Sequence, residues 1–337
     1  MLTAVLIHLL PVLLPASTAS PKPAIPAEDR YRLAEAFRLA EAIGDRIWPG
    51  WGRVPFAVVL VTPETEYFVR HAAPPSNAEP LGWDALLGSD VYARPRTFQT
   101  GFLATFPIEG ISTVVVGQPE KTGSTSSTDW VVTLLHEHFH QLQEARPDFY
   151  ARVGALGLSR GDQTGMWMLN FPFPYDAPGV AKAYGEAAQA LRTALGGGDA
   201  AAFLKARARF RDSVGADDRK YLDFQLWKEG VARYTQVRVA RFAGSTKYAP
   251  TPAFAALPDY PMVTYTALAR ELEEKILDEL STLTLPGDRR VVVYPYGAGE
   301  ALLLDRLRPC WRDQYFANMF TLAPAFDTEC PKKTGAQ

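Results

Sequence analysis

Three of the chain's five histidines lie within five residues, in the string LLHEHFHQLQ that covers positions 134–143. Within it, His136, Glu137 and His140 spell H-E-x-x-H, a spacing that has chemical meaning only on a helix. Four residues advance a helix by about one turn and leave two side chains roughly 40° apart. Two imidazoles so placed can reach one Zn²⁺ at about 2.0–2.1 Å. Glu137 is one step from the first histidine. It can touch a water on the metal without ligating the metal, which is the position of a general base. A catalytic zinc usually has three protein ligands and one open position. No histidine follows His140, so the third donor is expected to be a carboxylate. Glu229 is the preferred candidate, in LWKEGVARYTQ (226–236), where Gly230 and Ala232 are small enough for two helices to approach closely. Asp223 and Glu186 are the rivals. His138 falls on the apolar stripe with Leu134 and Leu135 and reads as a core or supporting histidine. His71 follows a strand-like run and reads as an ordinary loop residue.

These side chains need elements to position them. Val131, Leu134, Leu135 and Leu142 form one stripe of a helix that starts with Thr128 or Asp129 as cap, and Thr133, His136, Glu137, His140 and Glu144 share another face. Upstream, an amphipathic helix is expected over 27–48, then strands at 56–62, 66–70, 100–106 and 111–116, with a Pro/Gly-rich loop from Ala72 to Pro95. Downstream of Ala145 the pattern is mostly helical, over 181–195, 220–242 and 262–280. A short β pair is expected at 282–285 and 290–294, and a last helix from about Gly297. The expected fold class is α+β: an N-terminal α/β lobe with a small mixed sheet (27–146), then a mainly helical lobe (147–337), with the zinc site in the cleft between them.

H-E-x-x-H on one helix and E-G-x-A on a later one (Glu229, Gly230, Ala232) resembles the gluzincin superfamily of thermolysin-like and aminopeptidase-like zinc metallopeptidases. The spacing departs from the best-known members, since 89 residues separate His140 from Glu229. An inserted helical region is therefore expected between the motifs. The resemblance implies one zinc ion bound by His136, His140 and Glu229, with Glu137 as base, and a peptide or protein substrate. It also implies a tyrosine or histidine that stabilises the oxyanion. With no downstream histidine, the expectation is a tyrosine, Tyr296 first, with Tyr234 and Tyr294 behind it. A further implication is an edge strand that pairs with the substrate backbone, for which Ile111 to Val116 is the candidate; the same segment reads equally well as an ordinary central strand. The aromatic segment Gly161 to Tyr175 could rim the cleft or simply pack in the core.

Residues 2–14 are apolar apart from Thr3 and His8, and the small residues Ala16 to Ala19 follow. This reads as an export signal over 1–19, then a Pro-rich linker over 20–26. A periplasmic or extracellular location follows, with no membrane association after cleavage. Two cysteines, Cys310 and Cys330, suit one disulfide in such a compartment. Hydrophobic residues make up 47% of the chain, enough for a real core, and the formal charge is −2, which gives no support to nucleic-acid binding. The sequence-level reading is an exported zinc metallopeptidase. Its alternatives are a zinc hydrolase of another amide or ester, and a non-catalytic exported scaffold with a relic metal site.

Overall fold

The computed structural model describes residues 23–245 and 248–330; the expected signal over 1–19 and part of the linker lie outside them. A long helix, α1 (Ala27–Ile47), leads into six strands: β1 (Ala57–Val61), β2 (Thr65–Val69), β3 (Glu79–Asp84), β4 (Ser89–Pro95), β5 (Leu103–Ile108) and β6 (Ile111–Gly117). They form one mixed sheet in the order β3-β4-β2-β1-β6-β5. Only the β1–β6 pair is parallel, with Val58 opposite Val114 and Leu60 opposite Val116. Both are runs of β-branched residues, and β1 is buried along its whole length, as a central strand covered on both faces should be. Val58, Leu60, Val114 and Val116 face the main core, while Val59, Val61, Phe68 and Val115 join a second cluster that Phe98, Phe102 and Phe106 flank.

The histidine-bearing helix, α2 (Ser127–Glu144), packs against the inner face of this sheet, on β5 and β6. Its cap is Ser126, not Thr128 or Asp129; the Ser126 hydroxyl accepts from the Asp129 amide at 3.1 Å. A mainly helical region follows. Its principal helices are α3 (Pro178–Leu195), α4 (Ala200–Asp212), α5 (Ala216–Gln225), α6 (Val231–Ser245), α7 (Tyr265–Thr282) and α8 (Val293–Leu307). α6 is the hub, with contacts to α1, α2, α7 and α8. The architecture is thus α+β, a sheet after a helix and then a mainly helical region.

Three sequence expectations need correction. The Ala72–Pro95 segment holds β3 and β4. β3 is an exposed edge strand broken by a bulge between Pro80 and Gly82, so its turn-forming residues hide it. The β pair over 282–294 does not form. Thr284 instead caps a helical turn over Leu285–Asp288 with Pro286 near its start, and α8 begins at Val293. There the β propensity of Val291, Val292 and Val293 yields to burial of Val292 and Val293 in the helical core. Finally, β6 is an internal strand; the edge beside the histidine helix is β5. The Gly161–Tyr175 aromatics pack inward, with Phe171 stacked on Tyr221 at 4.4 Å.

Candidate metal centre

On α2 the residues Val131, Leu134, Leu135 and Leu142 are almost fully buried, which fixes the rotation of the helix, with His136 toward α6, His140 toward Glu229 and Glu137 toward β5. Glu229 arrives from the other side. α5 and α6 form one continuous rod, interrupted by a π-helical turn at Leu226–Gly230 that carries Glu229. Val231 N–H bonds back to Leu226 O across that wide turn. Such turns widen a helix locally and recur at functional sites. Gly230 is needed here for a reason other than the one its sequence context suggests. A Cβ on it would lie 2.5 Å from Gly297 Cα, so the small residue lets α8 approach, not the histidine helix.

Glu229 Oε2 lies 3.3 Å from His140 Nε2 and 3.8 Å from His136 Nε2. Among the described residues these three donors form a group within 4.8 Å of one another that could hold a metal ion. Zinc bonds of about 2.0–2.1 Å in tetrahedral geometry separate ligand atoms by roughly 3.4 Å; both His–Glu separations lie near that value, and two imidazoles with a carboxylate are a donor set that suits zinc. Both imidazoles are oriented through their other nitrogen. His140 Nδ1 is 2.7 Å from Gln143 Oε1 and His136 Nδ1 is 3.3 Å from Gln236 Oε1. Since a carbonyl oxygen can only accept, each Nδ1 carries the proton and each Nε2 lone pair faces the metal position. Gln143 is held in turn. Its Nε2 lies 2.7 Å from the Tyr315 hydroxyl and 3.2 Å from each of the carbonyl oxygens of Trp227 and Lys228, in the π turn.

The outer oxygen of Glu229, Oε1, faces Lys228 Nζ at 3.5 Å and Arg290 Nη1 at 3.8 Å. Burial alone would raise the Glu229 carboxyl, but Lys228 and His140 hold it well below the usual carboxylate range. Burial lowers His136, with Glu229 opposing, and so favours the neutral imidazole that a metal requires. Glu137 turns a carboxylate oxygen to the Thr105 hydroxyl of β5, 2.7 Å away. It lines a cleft of about 350 Å³ together with His136, Thr133, Arg233, Gln236 and Tyr294.

The other candidates fall elsewhere. Asp223 pairs with Arg211, and Glu186 pairs with Lys182 on the exposed face of α3. His138 stacks on Phe56 at 3.8 Å and on Trp51, donates from Nδ1 to Gln141 Oε1 at 2.7 Å, and burial drives its pKa down to about 3; it is a core histidine. His71 is buried beside Phe68, not on an open loop. Tyr296 is removed from the cleft. It packs among Tyr184, Phe203 and Phe210 with its hydroxyl unpartnered. Tyr234 donates to the Asp305 carboxylate. Tyr294 is the tyrosine at the site: its ring lies 6.4 Å from that of His136, and its hydroxyl accepts from Arg290 Nη2 at 2.9 Å. Sequence reasoning missed Gln143, Gln236, Thr105, Arg290 and Tyr315. Gln143 and Gln236 had a signal, one turn past His140 and two turns past Glu229; the other three had none.

No family model matches the chain, and neither a curated protein nor a solved structure is significantly similar to it.

Proposed function

We propose that the chain is an exported zinc-dependent metallopeptidase. One observation carries the reading: a carboxylate, Glu137, stands beside two histidines and a glutamate whose donor atoms converge, and it lines a cleft together with His136. A site that only stores metal has no use for that base. Zinc bound there would supply a Lewis acid and acidify a water. Glu137 then takes the proton at its carboxylate, with Thr105 fixing the orientation of the acceptor. It returns that proton to the leaving nitrogen. Tyr294, which lines the cleft, would donate to the oxyanion, in place of the Tyr296 expected from sequence. The exposed edge of β5 beside Glu137 offers backbone groups to an extended peptide. A disulfide between Cys310 and Cys330 supports an oxidising compartment. No helix among the described residues is long and apolar enough to cross a membrane.

The test is zinc content and peptide-library cleavage on the purified protein beside two variants. Wild type should hold one zinc and cut peptides. Glu137→Gln should keep the zinc and lose turnover by about 10²–10⁴-fold. Glu229→Ala should lose both. A zinc-loaded wild type that hydrolyses simple esters and no peptide would reject the peptidase reading.

A further inference from the structure

We propose that the cleft beside the metal centre contains a subsite for a carboxylate, built on Arg233, so that the substrate presents an acidic group next to the scissile bond. The inference rests on the peptidase reading for the word substrate; the subsite itself rests on Arg233. This residue lies one turn beyond Glu229 on the same rod and lines the cleft with Thr133, His136 and Gln236.

Its environment is unlike that of the other well-buried arginines. The side chains of Arg32, Arg94, Arg207 and Arg211 are 12%, 13%, 10% and 17% exposed, and each holds a carboxylate at hydrogen-bond distance: Asp29, Glu66, Glu300 and Asp223. Arg233 is 15% exposed, yet its nearest carboxylate oxygen, on Glu279, is 4.0 Å away. Glu279 also faces Lys275, at 3.9 Å. The Arg233 Nε is buried with no partner, and Nη1 makes one long contact, 3.3 Å, to Gln236 Oε1. A guanidinium offers five donors in a planar fork that matches a carboxylate bidentately. Most of that capacity is unused here and it is turned to a cleft.

Of the other charged groups on the wall, Glu137 is held by the Thr105 hydroxyl at 2.7 Å. Asp129 accepts from the Thr125 amide at 3.0 Å, and Glu271 and Lys275 are exposed residues of α7 at the cleft. Thr133 accepts from Gln236 Nε2 at 3.2 Å and has its own proton to donate, a second contact for an anion over Arg233. A carboxylate there is either an Asp or Glu side chain or the free C-terminus of a short peptide; the chemistry is the same and the experiment separates them.

Zinc-loaded protein is incubated with two position-scanned peptide libraries, one blocked at both ends and one with free C-termini. Wild type should prefer Glu or Asp over Gln or Asn at one position adjoining the cut by about ten- to a hundredfold in kcat/KM, in the blocked library if the group is a side chain. If the group is the terminus, the preference is for free over amidated ends. Arg233→Met should abolish the preference while retaining one zinc per chain, and Arg233→Glu should shift it toward Lys or Arg. No acidic or C-terminal preference in wild type, or one that survives in zinc-replete Arg233→Met, overturns the subsite and leaves the peptidase reading standing. If no peptide is cut at all, the peptidase reading fails, and the subsite is decided by direct binding. N-acetyl-glutamate α-amide and N-acetyl-glutamine α-amide are titrated into zinc-loaded wild type and Arg233→Met, followed by NMR. Arg233-dependent preference for the glutamate supports it, and equal binding of the two rejects it.

Discussion

At the residue scale, the chemistry is divided between groups that face the open position and groups that hold them. The two tyrosines of VVVYPYG illustrate how much depends on local conformation. In a strand, Tyr294 and Tyr296 would share a face and be interchangeable; in a helix they stand about 200° apart. Since the segment is helical, Tyr294 faces His136 and Tyr296 enters the core. Tyr294→Phe should therefore lower kcat by about 10²–10³-fold with a smaller change in KM, while Tyr296→Phe should leave kcat unchanged and stability equal or higher, because its buried hydroxyl has no partner. Steady-state kinetics and a melting curve on both variants check this, and equal losses of kcat would refute it. Gln143→Leu should weaken zinc binding by about 10–100-fold, read by competition with a chelator. An affinity unchanged within twofold would mean that Gln143 does not orient His140. That His136, His140 and Glu229 form a group able to hold a metal ion was legible from spacing and residue type, since few residue types ligate metals. The glutamines behind them were legible only in hindsight, because an amide at helical spacing looks like any solvated side chain.

At the element scale, the site depends on a wide helical turn and on a glycine pair. Gly230 and Gly297 meet where the π turn crosses α8; a Cβ on Gly297 would lie 2.7 Å from Gly230 Cα. Gly230→Ala should therefore destabilise the protein by about 1–3 kcal/mol and release zinc at a lower chelator concentration, since the element that must shift carries Glu229. Denaturant melts of metal-free and zinc-loaded forms measure the two effects separately. Ordinary stability in both forms would show that the helices can part at no cost. The helices were largely readable because they are long and periodic: α1, α3, α7 and the α5–α6 rod all lie within a few residues of their expected spans. The edge strand β3, the π turn and the absent hairpin were not readable, since each is decided by what packs against it and not by its own residues.

At the scale of the whole molecule, the segment closed by Cys310 and Cys330 returns to the centre. Cys310 and Cys330 are joined across 20 positions, and the enclosed segment carries Tyr315, which bonds both Gln143 Nε2 and the Trp227 carbonyl. Tyr315 also stacks on Trp227 at 4.8 Å. Replacing both cysteines with serine should lower stability by about 3 kcal/mol and weaken zinc binding too. Calorimetry and chelator competition on the one variant test the pair of effects, and a lowered melting temperature with unaltered zinc affinity would separate the tail from the centre. The α+β class and the order of its parts could be inferred from composition along the chain. The strand order could not, since pairing partners are distant in sequence and one parallel pair brings β6 back beside β1.

The wide turn at Leu226–Gly230 also has a genetic consequence. A π turn holds one residue more than an α turn, so loss of the codon for Leu226, Trp227 or Lys228 would restore a regular helix that still carries Glu229. Glu229 would keep its place relative to α6, which it joins directly through Gly230. α5 would instead rotate by about 100°, swinging Tyr221, Leu222 and Phe224 out of the core they now fill. The reading frame around Glu229 is thus guarded by the packing of the preceding helix, and such a deletion would be lost to misfolding before it was lost to chemistry.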